Sequence, residues 1–107
     1  MEPPIILDNF GDVLIFENVE DALSYVEPID VSNGEYVGYD SMGRRLELTV
    51  FKGKVIIEPS EIEPTHAGEL HAILVGFFTT GVGLSPDWLA RASLDELVAA
   101  GRNHLTR

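Results

Sequence analysis

The 107 residues predict an α+β domain, an antiparallel β-sheet with a three-stranded meander and helices packed on one face. Three observations predict it. Residues 35–40, 44–51 and 54–58 carry strand patterns, separated by connections of hairpin length. Residues 67–78 change to helical spacing, with Ala67, Leu70, His71, Leu74, Phe77 and Phe78 on one stripe. The strands come in a run ahead of the C-terminal helices instead of alternating with them, which favours an antiparallel sheet over parallel βαβ units.

The elements follow in order. Ile5-Ile6-Leu7 is a short apolar run expected to be an edge strand or an arm, broken by Asn9-Phe10-Gly11. Residues 12–17 (Asp-Val-Leu-Ile-Phe-Glu) are rich in strand formers. Asn18 suits a helix N-cap, with Glu20 and Asp21 in the first turn, where acids favour the helix dipole. Val19, Ala22, Leu23 and Val26 share one helical face, and Pro28 is expected to end that helix. Ser32-Asn33-Gly34 reads as a turn.

The meander follows. Tyr36 and Gly38 fall on one side of its first strand and Val37 and Tyr39 on the other. Leu46, Leu48 and Val50 share a face of the second, opposite Arg45, Glu47 and Thr49, so one face is solvated. Lys52-Gly53 is a tight turn before Val55, Ile56 and Ile57. Residues 58–64 form an acidic, proline-bounded linker, and Thr65 is expected to cap the long helix that Gly81 and Gly83 end. Ser85-Pro86-Asp87 starts another helix. Ser93 and Glu96 have the spacing of a capping box ahead of Leu94, Leu97, Val98 and Leu105. The expected order is β-α-β-β-β-α-α in one domain, residues 1–107.

Composition narrows the function. A chain that is 45% hydrophobic and 23% charged has too much apolar content for intrinsic disorder. It has no cysteine, which excludes disulfides, thiolate zinc sites and a cysteine nucleophile. The most apolar run, residues 72–78, is far short of the roughly 20 residues that cross a bilayer. Met1-Glu2-Pro3-Pro4 puts no positive charge ahead of its apolar residues, so no secretory signal is expected and the cytoplasm is the expected compartment.

No pattern of catalytic residues emerges. His66, Glu69 and His71 lie close in sequence, but five residues turn a helix by about 140°, so the two histidines do not converge on one metal. Zinc needs three or four ligands, and no second cluster supplies them. The carboxylate pairs Glu20/Asp21, Asp95/Glu96 and Glu61/Glu63 sit in helix first turns or in the linker, where capping and exposure account for them. The serines read as caps, turns or surface, and Gly81-Val82-Gly83 follows a helix and lacks the lysine of a phosphate loop. The expectation is therefore no enzyme, no cofactor and no metal.

Charge is the informative feature. Eighteen acids face seven bases, and ten of the acids fall in residues 1–43, which hold no Lys or Arg. Such a field repels nucleic acid and anionic lipid and attracts basic surfaces. Tyrosines among these acids suit an interface, because tyrosine anchors and carboxylates steer.

The Glu-Pro-Ile-Asp-Val turn at residues 27–31 and the pattern Asn33-Gly34-Glu35-Tyr36, Tyr39-Asp40, Gly43-Arg44, within residues 17–48, resemble small acidic bacterial immunity proteins of polymorphic toxin and contact-dependent growth inhibition systems. The resemblance covers about a third of the chain. It implies a protein that binds and neutralises the C-terminal domain of a cognate toxin, often a basic nuclease, and it carries over no binding residue by position. The partner-binding face expected from charge is Asp12, Glu17, Glu20, Asp21, Glu27, Asp30, Glu35 and Asp40 for steering, with Tyr25 or Tyr39 as anchor. Neither nucleic acid nor membrane is an expected partner. The alternative is a self-associating structural or regulatory module, a homodimer formed through a half-exposed helix over residues 72–78.

Overall fold

The structure, a computed structural model, describes residues 1–60 and 65–105. Strands β1 (Ile5–Asn9) and β2 (Asp12–Phe16) form a hairpin. Its two turn residues, Phe10 and Gly11, both have positive φ (51° and 94°), which makes the two-residue turn whose twist suits antiparallel strands. Helices α1 (Val19–Tyr25) and α2 (Pro28–Ser32) follow. Strands β3 (Val37–Tyr39), β4 (Arg45–Phe51) and β5 (Lys54–Pro59) make the expected meander. The chain ends in α3 (Ala67–Phe77), a π-turn segment (Phe78–Val82), α4 (Pro86–Arg91) and α5 (Leu94–Leu105).

The five strands form one antiparallel sheet in the order β2-β1-β3-β4-β5. The apolar run at Ile5 is therefore neither an edge strand nor an arm. β1 lies between β2 and β3, and Ile5, Ile6 and Leu7 are all buried, because an inner strand is covered on both faces. Alternation sorts the side chains into two layers. Ile6, Val13, Ile15 and Tyr39 face α3, α4 and α5, meeting Leu70, Leu74, Phe78, Leu89, Leu97 and Val98. Ile5, Leu7, Leu14, Phe16, Leu46 and Ile57 face the other way, under Ala22 and Val26. The three C-terminal helices thus cover one face as expected, and the short α1–α2 segment lies against the opposite one. Each fully buried Leu or Ile contributes roughly 1.5–3 kcal/mol.

Local signals explain most ends. Asn18 Oδ1 accepts the Asp21 N–H at 2.8 Å, and Ser85 Oγ caps Trp88 N. Ser93 and Glu96 close the capping box in both directions, at 3.0 and 3.2 Å. Gly83 ends the long helical stretch in the left-handed region, its N–H reaching Phe78 O. Two expectations need correction. Pro28 does not merely end α1; it occupies the first turn of α2, where its missing N–H has no partner to lose. His66, not Thr65, takes the cap position of α3, with no side-chain cap bond; its N–H instead reaches Gly43 O at 2.7 Å. Gly43 has φ of 82°, and a Cβ there would overlap the Ala67 backbone, so this glycine lets the helix start dock on the meander. The linker over residues 58–64 is described only to Ser60; residues 61–64 lie outside the described residues.

Candidate functional site

The acid-rich half of the chain forms α1, α2 and the turn into β3. The capping of α1 by Asn18 leaves Glu20 and Asp21 exposed in its first turn. Tyr25 is the last residue of α1; its ring packs on Phe16 with centroids 5.4 Å apart and remains 47% exposed. Phe16, Asp21, Ser24 and Tyr25 line an open hollow of about 260 Å³. Glu27 stands at the N-cap of α2, and Ile29 on that helix is 64% exposed.

The turn after α2 folds Glu35 back onto Asp30. The Glu35 N–H bonds to Asp30 O at 3.1 Å, and the two carboxyls interact. Desolvation, a hydrogen bond to Asp30 and the Asp30 charge together push the Glu35 carboxyl above the usual carboxylate range. The half-buried Tyr36 feels the same field. Burial raises its hydroxyl first, followed by the charges of Asp30 and Glu35, then Tyr25 and Glu27. Asp30, Glu35, Glu27, Tyr25 and Tyr36 therefore form one acidic and aromatic patch, beside the exposed Ile29.

The expected binding residues divide accordingly. Glu20, Asp21, Tyr25, Glu27, Asp30 and Glu35 fall on the continuous α1–α2 segment and its exit. Asp12 is exposed at the start of β2, beside the β1–β2 turn and outside that segment. Glu17 is spent on an internal pair: Arg102 grips it at 2.9 and 3.3 Å, linking α5 to the end of β2.

Tyr39 and Asp40 are corrections, because both are buried and touch no solvent-facing partner surface. Asp40 is 0% exposed and accepts the N–H groups of Glu2, Met42 and Arg44 at 3.2, 2.9 and 3.0 Å, organising the β3–β4 turn. Tyr39 points under α3 and donates its hydroxyl to Glu69 Oε2 at 2.6 Å. The same oxygen lies 3.7 Å from both Arg45 Nη1 and His66 Nδ1. Burial, then the Glu69 hydrogen bond, hold the Tyr39 proton firmly. This cluster pins α3 to the sheet. His71 Nε2 lies 2.8 Å from Ala92 O and joins α3 to the C-terminal end of α4. Among the described residues, no three His, Asp or Glu side chains are placed to hold a metal ion.

Sequence reasoning left out Ile29 and Tyr36. No local signal marks Ile29 as exposed; α2 is a short helix with no buried residue. Tyr36 falls in the strand expected over residues 35–40, but β3 starts one residue after it. No family model matches the chain, and neither a curated protein nor a solved structure matches it. No helix of the described residues is long and apolar enough to cross a membrane.

Proposed function

We propose that the protein is an immunity-type inhibitor that binds a basic toxin domain, of the nuclease kind, through its α1–α2 face. The Asp30–Glu35 pair carries this reading. Two carboxylates held together at a surface, with Glu27 nearby, repel one another, and a partner Arg or Lys placed between them relieves the repulsion. Tyr25 and Ile29 supply exposed apolar area next to the charge, the composition of a binding hot spot. The face would dock on the basic cleft with which a nuclease holds its substrate.

The partner to express is the C-terminal domain of a large secreted protein encoded in the neighbouring reading frame. Tyr25→Ala and Ile29→Ala are expected to weaken that complex by tenfold or more, as anchors do. Asp12→Asn should change affinity little, and Tyr39→Phe not at all. Equal binding by all four variants, or a neighbouring frame without such a domain, would sink the proposal.

A further inference from the structure

We propose that the protein forms a symmetric dimer by pairing strand β5 with β5 of a second copy, in one register centred on Ile56. β5 is an outer strand of the sheet, and apart from its pairing with β4 no backbone hydrogen bond reaches Lys54, Val55, Ile56, Ile57 or Glu58 among the described residues. Lys52 and Gly53, at φ of 52° and 77°, close a two-residue turn. Phe51 and Lys54 are then a hydrogen-bonded pair, and strand alternation points the N–H and C=O groups of Val55 and Ile57 away from β4. The bond from Ser60 N to Arg45 O fits the same phase, with even-numbered residues of β5 bonded inward.

Antiparallel pairing about Ile56 sets Val55 against the partner's Ile57 and Ile57 against the partner's Val55. Both pairs exchange their outward hydrogen bonds. On the face opposite α1 and α2, which the C-terminal helices leave bare over β5, Ile56 meets its own copy, and Lys54 meets Glu58 of the second chain, twice by symmetry. Within one chain Glu58 stands opposite Glu47 in the β4–β5 register, a like-charge pair that the second copy's Lys54 would relieve. The neighbouring registers fail. Centring on Ile57 requires an N–H from Pro59, which has none, and sets Ile56 against Glu58. Centring on Val55 sets Lys54 against Ile56.

The surface composition fits a second copy. Residues 44–60 hold four bases and two acids, so the paired edges lie in a net-positive stretch of a strongly acidic chain. Ile56 is 37% exposed and Phe51, on the same bare face, 63%. The extended sheet would give these side chains a larger apolar surface. The paired edge includes none of the acids and aromatics of the proposed binding face, although Leu23, Val26 and Pro28 adjoin Lys54 and Val55, and its test does not depend on a toxin.

Sedimentation across a wide concentration range is expected to show a monomer–dimer equilibrium. Lys54→Glu should weaken it on the order of tenfold, since it opposes two acids at each end of the pairing. Adding Glu58→Lys to Lys54→Glu should restore it. The chain has no cysteine, so Ile56→Cys should give one disulfide-linked dimer under mild oxidation, and Thr49→Cys on β4 should not. A monomer at every concentration would overturn the proposal and make Lys54 and Pro59 guards of an open edge. So would a dimer indifferent to Lys54→Glu, or a chain that stays monomeric while taking up a strand from another protein.

Discussion

At the scale of single residues, identical carboxylates do three different jobs, and burial decides which. Asp40 is fully enclosed and satisfies three backbone N–H groups; Asp40→Ala strands those donors and should cost about 2–3 kcal/mol in denaturant unfolding. Glu96 completes a helix cap, and its hydrogen bonds from Ser93 hold its carboxyl below the usual range. Its stabilisation is present above the ordinary carboxylate pKa and is lost as pH falls through the lower folded value. Glu35 has the opposite sign. Its folded pKa is raised, so the native state takes up a proton before the unfolded chain does, and stability rises as pH falls through that raised value toward the ordinary one. Glu35→Gln should flatten this mildly acidic gain in a melting-temperature profile without lowering stability at neutral pH. If Glu35 also holds the partner's cation, wild-type binding weakens over the same acidic interval.

At the scale of elements, helix ends were legible and helix packing was not. The Ser93–Glu96 box could be read from spacing because a cap involves only neighbours in sequence. Ser93→Ala should destabilise by about 1 kcal/mol. Gly101, by contrast, looks like a weak point in α5 that alanine ought to improve by about 1 kcal/mol. A Cβ there would overlap Ile15 Cδ1, and Ile15 is completely buried, so it has little room to yield. Gly101→Ala should therefore destabilise, by roughly 1–3 kcal/mol. Thermal unfolding of the two variants side by side checks both signs. The α3 stripe illustrates the same division. Its spacing is evident, but only the fold shows which side lies inward: Leu70, Leu74 and Phe78 are buried against the sheet and the other helices, while Ile73, Val75 and Phe77 stay partly exposed.

At the scale of the whole molecule, charge is segregated: the acids of residues 1–43 dominate one part of the chain, and the β4–β5 hairpin is net positive. Association with a basic partner should slow as salt rises, while its dissociation changes much less; a rate indifferent to salt would remove steering from the account. The sequence by itself determined the meander, the helix starts at Asn18, Ser85 and Ser93, and the location of the acid excess. These depend on alternation, turn chemistry and near neighbours. Only the tertiary structure decided that Ile5 starts an inner strand, that Tyr39 and Asp40 are enclosed, that Glu17 is taken by Arg102, and that Asp30, Glu35, Tyr25 and Tyr36 share one patch. Each of those facts depends on which distant segment comes to lie alongside. A strand's period gives its two faces but not its neighbours, and the charge of a side chain does not say whether it meets water, backbone or another chain.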